Sequence, residues 1–132
     1  MIKKILIVDD SLVARMVIQH SIPTDKGYEV LTALNGKEGV EKFRRFMPDV
    51  TFMDLNMPEL DGYSAMKQIL AFSPKAIIIS LTADTQEKSI SKATELGAFA
   101  VILKPPTPDL IRALLEDIDL KLGQSETGQT KS

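Results

Sequence analysis

Apolar residues along this chain follow two alternating rhythms. Runs that stay largely apolar on successive positions occur at 5–8, 29–33, 50–53, 76–81 and 99–103. They are rich in Ile, Val, Leu and Phe, as strands buried on both faces of a parallel sheet require. Between them the apolar positions recur at helical spacing. Val13, Met16, Val17 and His20 make one stripe; Val40, Phe43 and Met47 make a second; Met66, Ile69 and Leu70 make a third. The most regular stripe is the last, with Leu110, Ile111, Leu114, Leu115, Ile118 and Leu122 on one predicted face. The segment 85–96 is the weakest helix. Its stripe is only Ile90, Ala93 and Leu96, so it is expected to be held loosely.

Punctuation agrees with this division. Pro23 stops the first helix, Asn35-Gly36 opens the second and Asp61-Gly62 opens the third. Gly97 stands where a left-handed cap would end the fourth, and Thr107-Pro108 reads as an N-cap followed by proline at the first helical position. Five βα units in a row predict a doubly wound α/β domain: a five-stranded parallel sheet, five helices and right-handed crossovers. It should occupy residues 1–122. Residues 123–132, GQSETGQTKS, carry no apolar side chain and are expected to form a disordered tail.

Composition narrows the chemistry. The chain has 132 residues, with a formal net charge of -2, so no global positive field invites nucleic acid. The absence of cysteine removes disulfides, thiolate zinc sites and thiol nucleophiles, and fits a reducing compartment. The apolar run after Lys3-Lys4 ends within four residues at Asp9-Asp10, too short for a signal peptide, and no stretch is long enough for a membrane span. A cytoplasmic protein is expected. His20, the one histidine, is placed at the core edge, and KFRRFM at 42–47 reads as a solvated helix face rather than a nucleic-acid patch.

In an open α/β sheet, ligands bind beyond the carboxyl ends of the strands. The first strand ends in Asp9-Asp10, the third in Asp54, the fourth near Thr82 and the fifth in Lys104. Three aspartates and one lysine leave a formal charge of about -2 at that rim. Crowded carboxylates repel one another, and a divalent cation relieves them. An all-oxygen site suits Mg²⁺, which keeps several waters. A metal with open positions beside a lysine makes an anion site. Asp54 is then the candidate nucleophile, attacking a phosphoryl group to give an acyl phosphate, with Mg²⁺, Lys104 and Thr82 neutralising the transferring oxygens.

The segments LIVDDS, DLNMPELDG, LTA and LKPP, in this order and spacing, resemble the receiver domain of bacterial two-component response regulators, in its stand-alone form. The resemblance covers residues from about 2 to 122. It implies the flavodoxin-like strand order 2-1-3-4-5. It further implies Asp54 as phosphoacceptor, Mg²⁺ held by Asp9, Asp10, Asp54 and the Asn56 backbone carbonyl, and Thr82 and Lys104 as the groups that meet the phosphoryl. Lys104-Pro105 would be a cis peptide, Met57-Pro58 and Gly62 would shape the loop that aims Asp54, and Asn56 and Asp84 would tune dephosphorylation. The implied partners are a sensor histidine kinase or histidine phosphotransfer protein, and a downstream protein docking on helix 4, strand 5 and helix 5. The implied role is a signalling switch with intrinsic autophosphotransfer and slow autodephosphorylation, rather than a metabolic enzyme.

Two positions depart from the pattern. Val101 replaces the usual switch aromatic, and Pro106 stands where many receivers have phenylalanine. The contrasting class is an α/β phosphatase that also uses an aspartyl nucleophile. Such enzymes place a second aspartate two residues on, as general acid; here that residue is Asn56, an amide. A flavodoxin-like cofactor carrier would need a Ser/Thr/Gly-rich phosphate loop after the first strand, which DDSLVAR does not supply.

Overall fold

Side chains on successive residues of a strand point to opposite faces. In this protein both faces of the strands are covered. The computed structural model describes residues 1–57 and 60–131, with side chains as far as 123. The elements are β1 (Lys4–Val8), α1 (Leu12–Ser21), β2 (Glu29–Ala33), α2 (Gly36–Phe46), β3 (Val50–Asp54), α3 (Gly62–Phe72), β4 (Ile78–Thr82), α4 (Glu87–Leu96), β5 (Ala100–Leu103) and α5 (Pro108–Lys131). All strand pairs are parallel, in the order β2-β1-β3-β4-β5.

The alternation sorts the core into two layers. Ile5, Ile7, Phe52, Ile79 and Leu81 face one way, against Ile18 of α1 and Ile111, Leu115 and Ile118 of α5. Leu6, Val8, Met53 and Ile78 face the other way, against Val40 and Phe43 of α2, Met66 and Ile69 of α3 and Ala93 of α4. Every residue of β3 and β4 is buried. Truncating Phe52 to alanine there would cost about 3–5 kcal/mol in transfer and cavity terms.

Helix ends are set by side chains beside the strand ends. Ser11, Asn35 and Asp61 each accept a backbone N–H in the first turn of α1, α2 and α3, and Thr107 does so for α5 through Leu110 N–H at 3.3 Å. Gly97 closes α4 at φ 115°, where a side chain would be strained.

The helix faces depart from the expected stripes. On α1 the fully buried residues are Ile18 and Ser21, while Val13 is 69% exposed, Leu12 and Met16 also face outward, and His20 is exposed. A ten-residue helix seated by one deep isoleucine leaves room for a second apolar stripe turned to solvent. Met47 lies past the end of α2 in a left-handed cap and is exposed, and Leu110 of α5 is exposed although Ile111, Leu115 and Ile118 are buried. α4 starts at Glu87 rather than at 85 and buries only Ala93 fully. The backbone of α5 continues past Leu122 to Lys131, through Gly123 and Gly128. Side chains from 124 on, and Ser132 entirely, lie outside the described residues. No helix among the described residues is long and apolar enough to cross a membrane.

Candidate functional site

Strand register brings the polar residues to one rim. Val8 pairs with Met53, so Asp9 follows in line with Asp54. Asp54 pairs with Leu81, so Thr82 comes one step later, and Thr82 pairs with Leu103, so Lys104 comes one step after that. Carboxylate oxygens of Asp9, Asp10 and Asp54 lie within 4.8 Å of one another. The Lys104 ammonium bridges two of them, at 3.0 Å from Asp9 Oδ2 and 3.1 Å from Asp54 Oδ1.

The three acids are held unequally. Asp9 is fully buried; its Oδ1 accepts the Ser11 N–H at 2.9 Å and its Oδ2 accepts from Lys104. Asp54 is 2% exposed, and its Oδ1 accepts the Asn56 N–H at 3.2 Å. Asp10 is exposed, and among the described residues no donor holds its carboxylate. Burial raises the Asp54 carboxyl, and the nearby charge of Asp9 raises it further. The Asn56 N–H and Lys104 pull the other way, and the balance leaves it at about 6. Burial pulls the Lys104 ammonium down, but the hydrogen bond to Asp9 and the charges of Asp54 and Asp9 outweigh that and raise it.

Three hard oxygen donors against one ammonium, with one carboxylate free of protein donors, fit a small divalent cation. Gly62 is required by the same loop. A Cβ there would run into the Asp54 carbonyl oxygen and Leu55 Cα, so only glycine lets α3 begin this close to the end of β3. Pro58, expected to help shape this loop, lies outside the described residues, whereas Met57 is buried.

Thr82 is buried, and its hydroxyl accepts the Asp84 N–H at 3.0 Å rather than meeting the side chains of Asp54 or Lys104, while its carbonyl accepts the Lys104 N–H at 2.8 Å. Asp84 in turn accepts from Ser89 Oγ at 2.5 Å and from the Gln86 N–H at 2.9 Å, and these hydrogen bonds hold its carboxyl below the usual range. The Ser89 carbonyl accepts from Tyr63 Oη at 3.2 Å. Val101 is half-buried against the α2–α3–α4 layer of the core, and the Lys104-Pro105 peptide is cis. Pro106 is buried. An open, mainly apolar groove of about 370 Å³ adjoins Lys104, lined by Val13, Ala14, Val17, Pro105 and Pro106 among others.

One residue of this neighbourhood was not singled out from the sequence. Arg15 of α1 donates from Nη1 to the Asp9 carbonyl at 2.8 Å. The available signal was a basic residue four places after the Ser11 cap, close enough along the helix to fold back on the acidic turn.

A family model described as response regulator receiver domain matches residues 5–116. Chemotaxis protein CheY of Thermotoga maritima is 40% identical over 117 residues, which is 88% of this chain and 97% of that protein. The protein-glutamate methylesterase/protein-glutamine glutaminase of Desulfitobacterium hafniense is 42% identical over 120 residues, or 86% of this chain, which spans 30% of its length. Among solved structures, the REC domain of AraT, a response regulator from Geobacillus stearothermophilus, superposes with a TM-score of 0.87 at 32% identity, covering 96% of this chain and 99% of that one. The Borrelia burgdorferi CheX-CheY-BeF3-Mg²⁺ complex matches with a TM-score of 0.81 at 26% identity, covering 88% of each chain.

Proposed function

The chain belongs to the response regulator receiver family, and on that premise we propose that it is a signalling switch set by phosphorylation of Asp54. The donor is a sensor histidine kinase or histidine phosphotransfer protein. An Asp54 oxygen forms a bond to phosphorus as the P–N bond to the donor imidazole breaks, and the imidazole leaves with that electron pair and takes up a proton. Asp54 is fit for this because burial and Asp9 make its charge uncomfortable and Lys104 keeps it close by. Asp9, Asp10, Asp54 and the Asn56 carbonyl would hold Mg²⁺, which when bound supplies charge neutralisation at the phosphoryl oxygens. Lys104 then pairs with the added anion, and the Thr82 hydroxyl leaves the Asp84 N–H to reach it. Asn56 has no acidic proton, so the rim does not favour a turnover phosphatase.

The single observation that carries this reading is the Lys104 bridge across two buried carboxylates in an acidic trio at the end of a parallel sheet. The donor docks over the apolar groove beside Lys104, where Val13 faces solvent. The downstream partner reads the face of α4, β5 and α5, where Leu103 of β5 and Leu110 of α5 are both exposed. Asn56 and Asp84 set the rate at which the phosphoryl is lost to water. In this reading the protein acts in the cytoplasm.

The test is incubation with Mg²⁺ and acetyl phosphate followed by intact mass. One labile phosphoryl adduct is expected, absent with chelator. An unmodified mass would overturn the proposal. Val101→Tyr should then alter partner binding while leaving the adduct intact, if the readout runs past this position.

A further inference from the structure

We propose that Arg15 is a positioning residue for the cation site, setting the aim of Asp10 through the Asp9-Asp10 peptide. The inference rests on the metal reading above. Asp9 is tied at four points: its N–H donates to the Ala33 carbonyl at 3.1 Å, its two carboxylate oxygens accept from Ser11 and Lys104, and its carbonyl accepts from Arg15 Nη1. The first three fix the Asp9 side chain and the end of β1. The Ser11 N–H bond also spans the Asp9-Asp10 peptide as a tight turn, but only the fourth grips that peptide's own carbonyl.

Asp10 needs such a hold, because its exposed carboxylate has no donor of its own among the described residues. Turning the Asp9-Asp10 peptide by a few tens of degrees would swing that carboxylate away from Asp9 and Asp54. Arg15 resists the turn with a charge-assisted bond from a planar guanidinium, which is more directional than an ammonium. It does so without occupying the site: Arg15 forms no ion pair with any carboxylate among the described residues, so all three acids stay available to a cation. Its backbone is equally placed, since the Arg15 N–H bonds to the Ser11 carbonyl at 3.0 Å in the capped first turn of α1.

Geometry and charge make opposite demands, which gives a clean test. Arg15→Gln removes a positive charge near the site, and by charge alone that tightens Mg²⁺ binding. Loss of the peptide clamp weakens it. Calorimetric titration of the unphosphorylated protein with Mg²⁺ should show about tenfold weaker binding, the lower end for groups that orient a metal ligand. Arg15→Lys keeps the charge but not the fork, and should also weaken binding, by less. Metal-free melting of both variants is measured alongside. A lowered melting temperature with an unchanged Mg²⁺ isotherm would make Arg15 merely structural and overturn the proposal. Equal or tighter binding in Arg15→Gln would overturn it too. If Arg15→Gln does not fold, the Arg15→Lys isotherm decides alone, weaker binding supporting the clamp and wild-type binding refuting it. Wild-type protein that takes up no Mg²⁺ would instead remove the metal reading itself, and this inference with it.

Discussion

Asp49 and Asp54 sit at opposite ends of β3, and the same side chain does different work at each. Asp49 caps the start of the sheet: its Oδ2 accepts the N–H groups of Lys3 and Lys4 at 2.8 and 2.9 Å, on a half-exposed edge. Its charge is answered by backbone donors and by water. Asp54 is almost fully buried, faces two other carboxylates, and accepts a single backbone N–H. Its charge is answered by one shared lysine. Between them Thr51 is buried with its hydroxyl unpaired. A carboxylate becomes chemically available where the fold leaves its charge under-satisfied, and becomes mortar where the backbone satisfies it.

The largest expected contrast is in phosphorylation. Asp54→Asn should remove the acetyl-phosphate adduct completely, and Asp49→Asn should leave it intact, both read by mass. An adduct surviving in Asp54→Asn would break the comparison. Next, Lys104→Met should slow adduct formation by about 10²-fold, the cost of losing one group that stabilises developing charge, measured as adduct against time. Asp49→Ala should spare the chemistry but lower the unfolding free energy by about 1–3 kcal/mol in urea, since two N–H groups lose an ionised acceptor.

Smaller effects sharpen the same point. Thr51→Val keeps the shape and discards the unpaired hydroxyl, so it should stabilise the protein by about 1 kcal/mol, seen as a higher urea midpoint. The last expectation concerns pH. The Asp54 carboxyl titrates near 3.8 when unfolded and at about 6 in the native protein. Between those values the native state binds more protons, so metal-free stability should fall as pH rises through that window and then level off. Asp54→Asn should flatten the slope, as should saturating Mg²⁺.

Much of this was legible in the sequence. Strands buried on both faces announce themselves as unbroken apolar runs, and strand ends then point to the rim, so Asp9, Asp54, Thr82 and Lys104 could be gathered before any coordinate. Caps such as Asn35, Asp61 and Thr107 were readable because their chemistry is local. Tertiary choice was not. On α1 the periodicity finds an apolar stripe at Val13 and Met16, but the sheet and α5 select Ile18 instead, and nothing within the helix records that selection. Arg15 was missed for a related reason: its partner is a backbone carbonyl, which every residue has and no sequence pattern marks.

The rim is assembled from chain positions as far apart as Asp9 and Lys104, contributed by strands that lie side by side only in the finished sheet. During synthesis both acids leave the ribosome long before the lysine that bridges them. β5 is an edge strand and pairs only with β4, so it has nowhere to dock until β4 is in place. A chain that has not yet made β5 therefore carries Asp9 and Asp54 without the ammonium that bridges them. The counter-charge of the rim is thus the last part of it to be made.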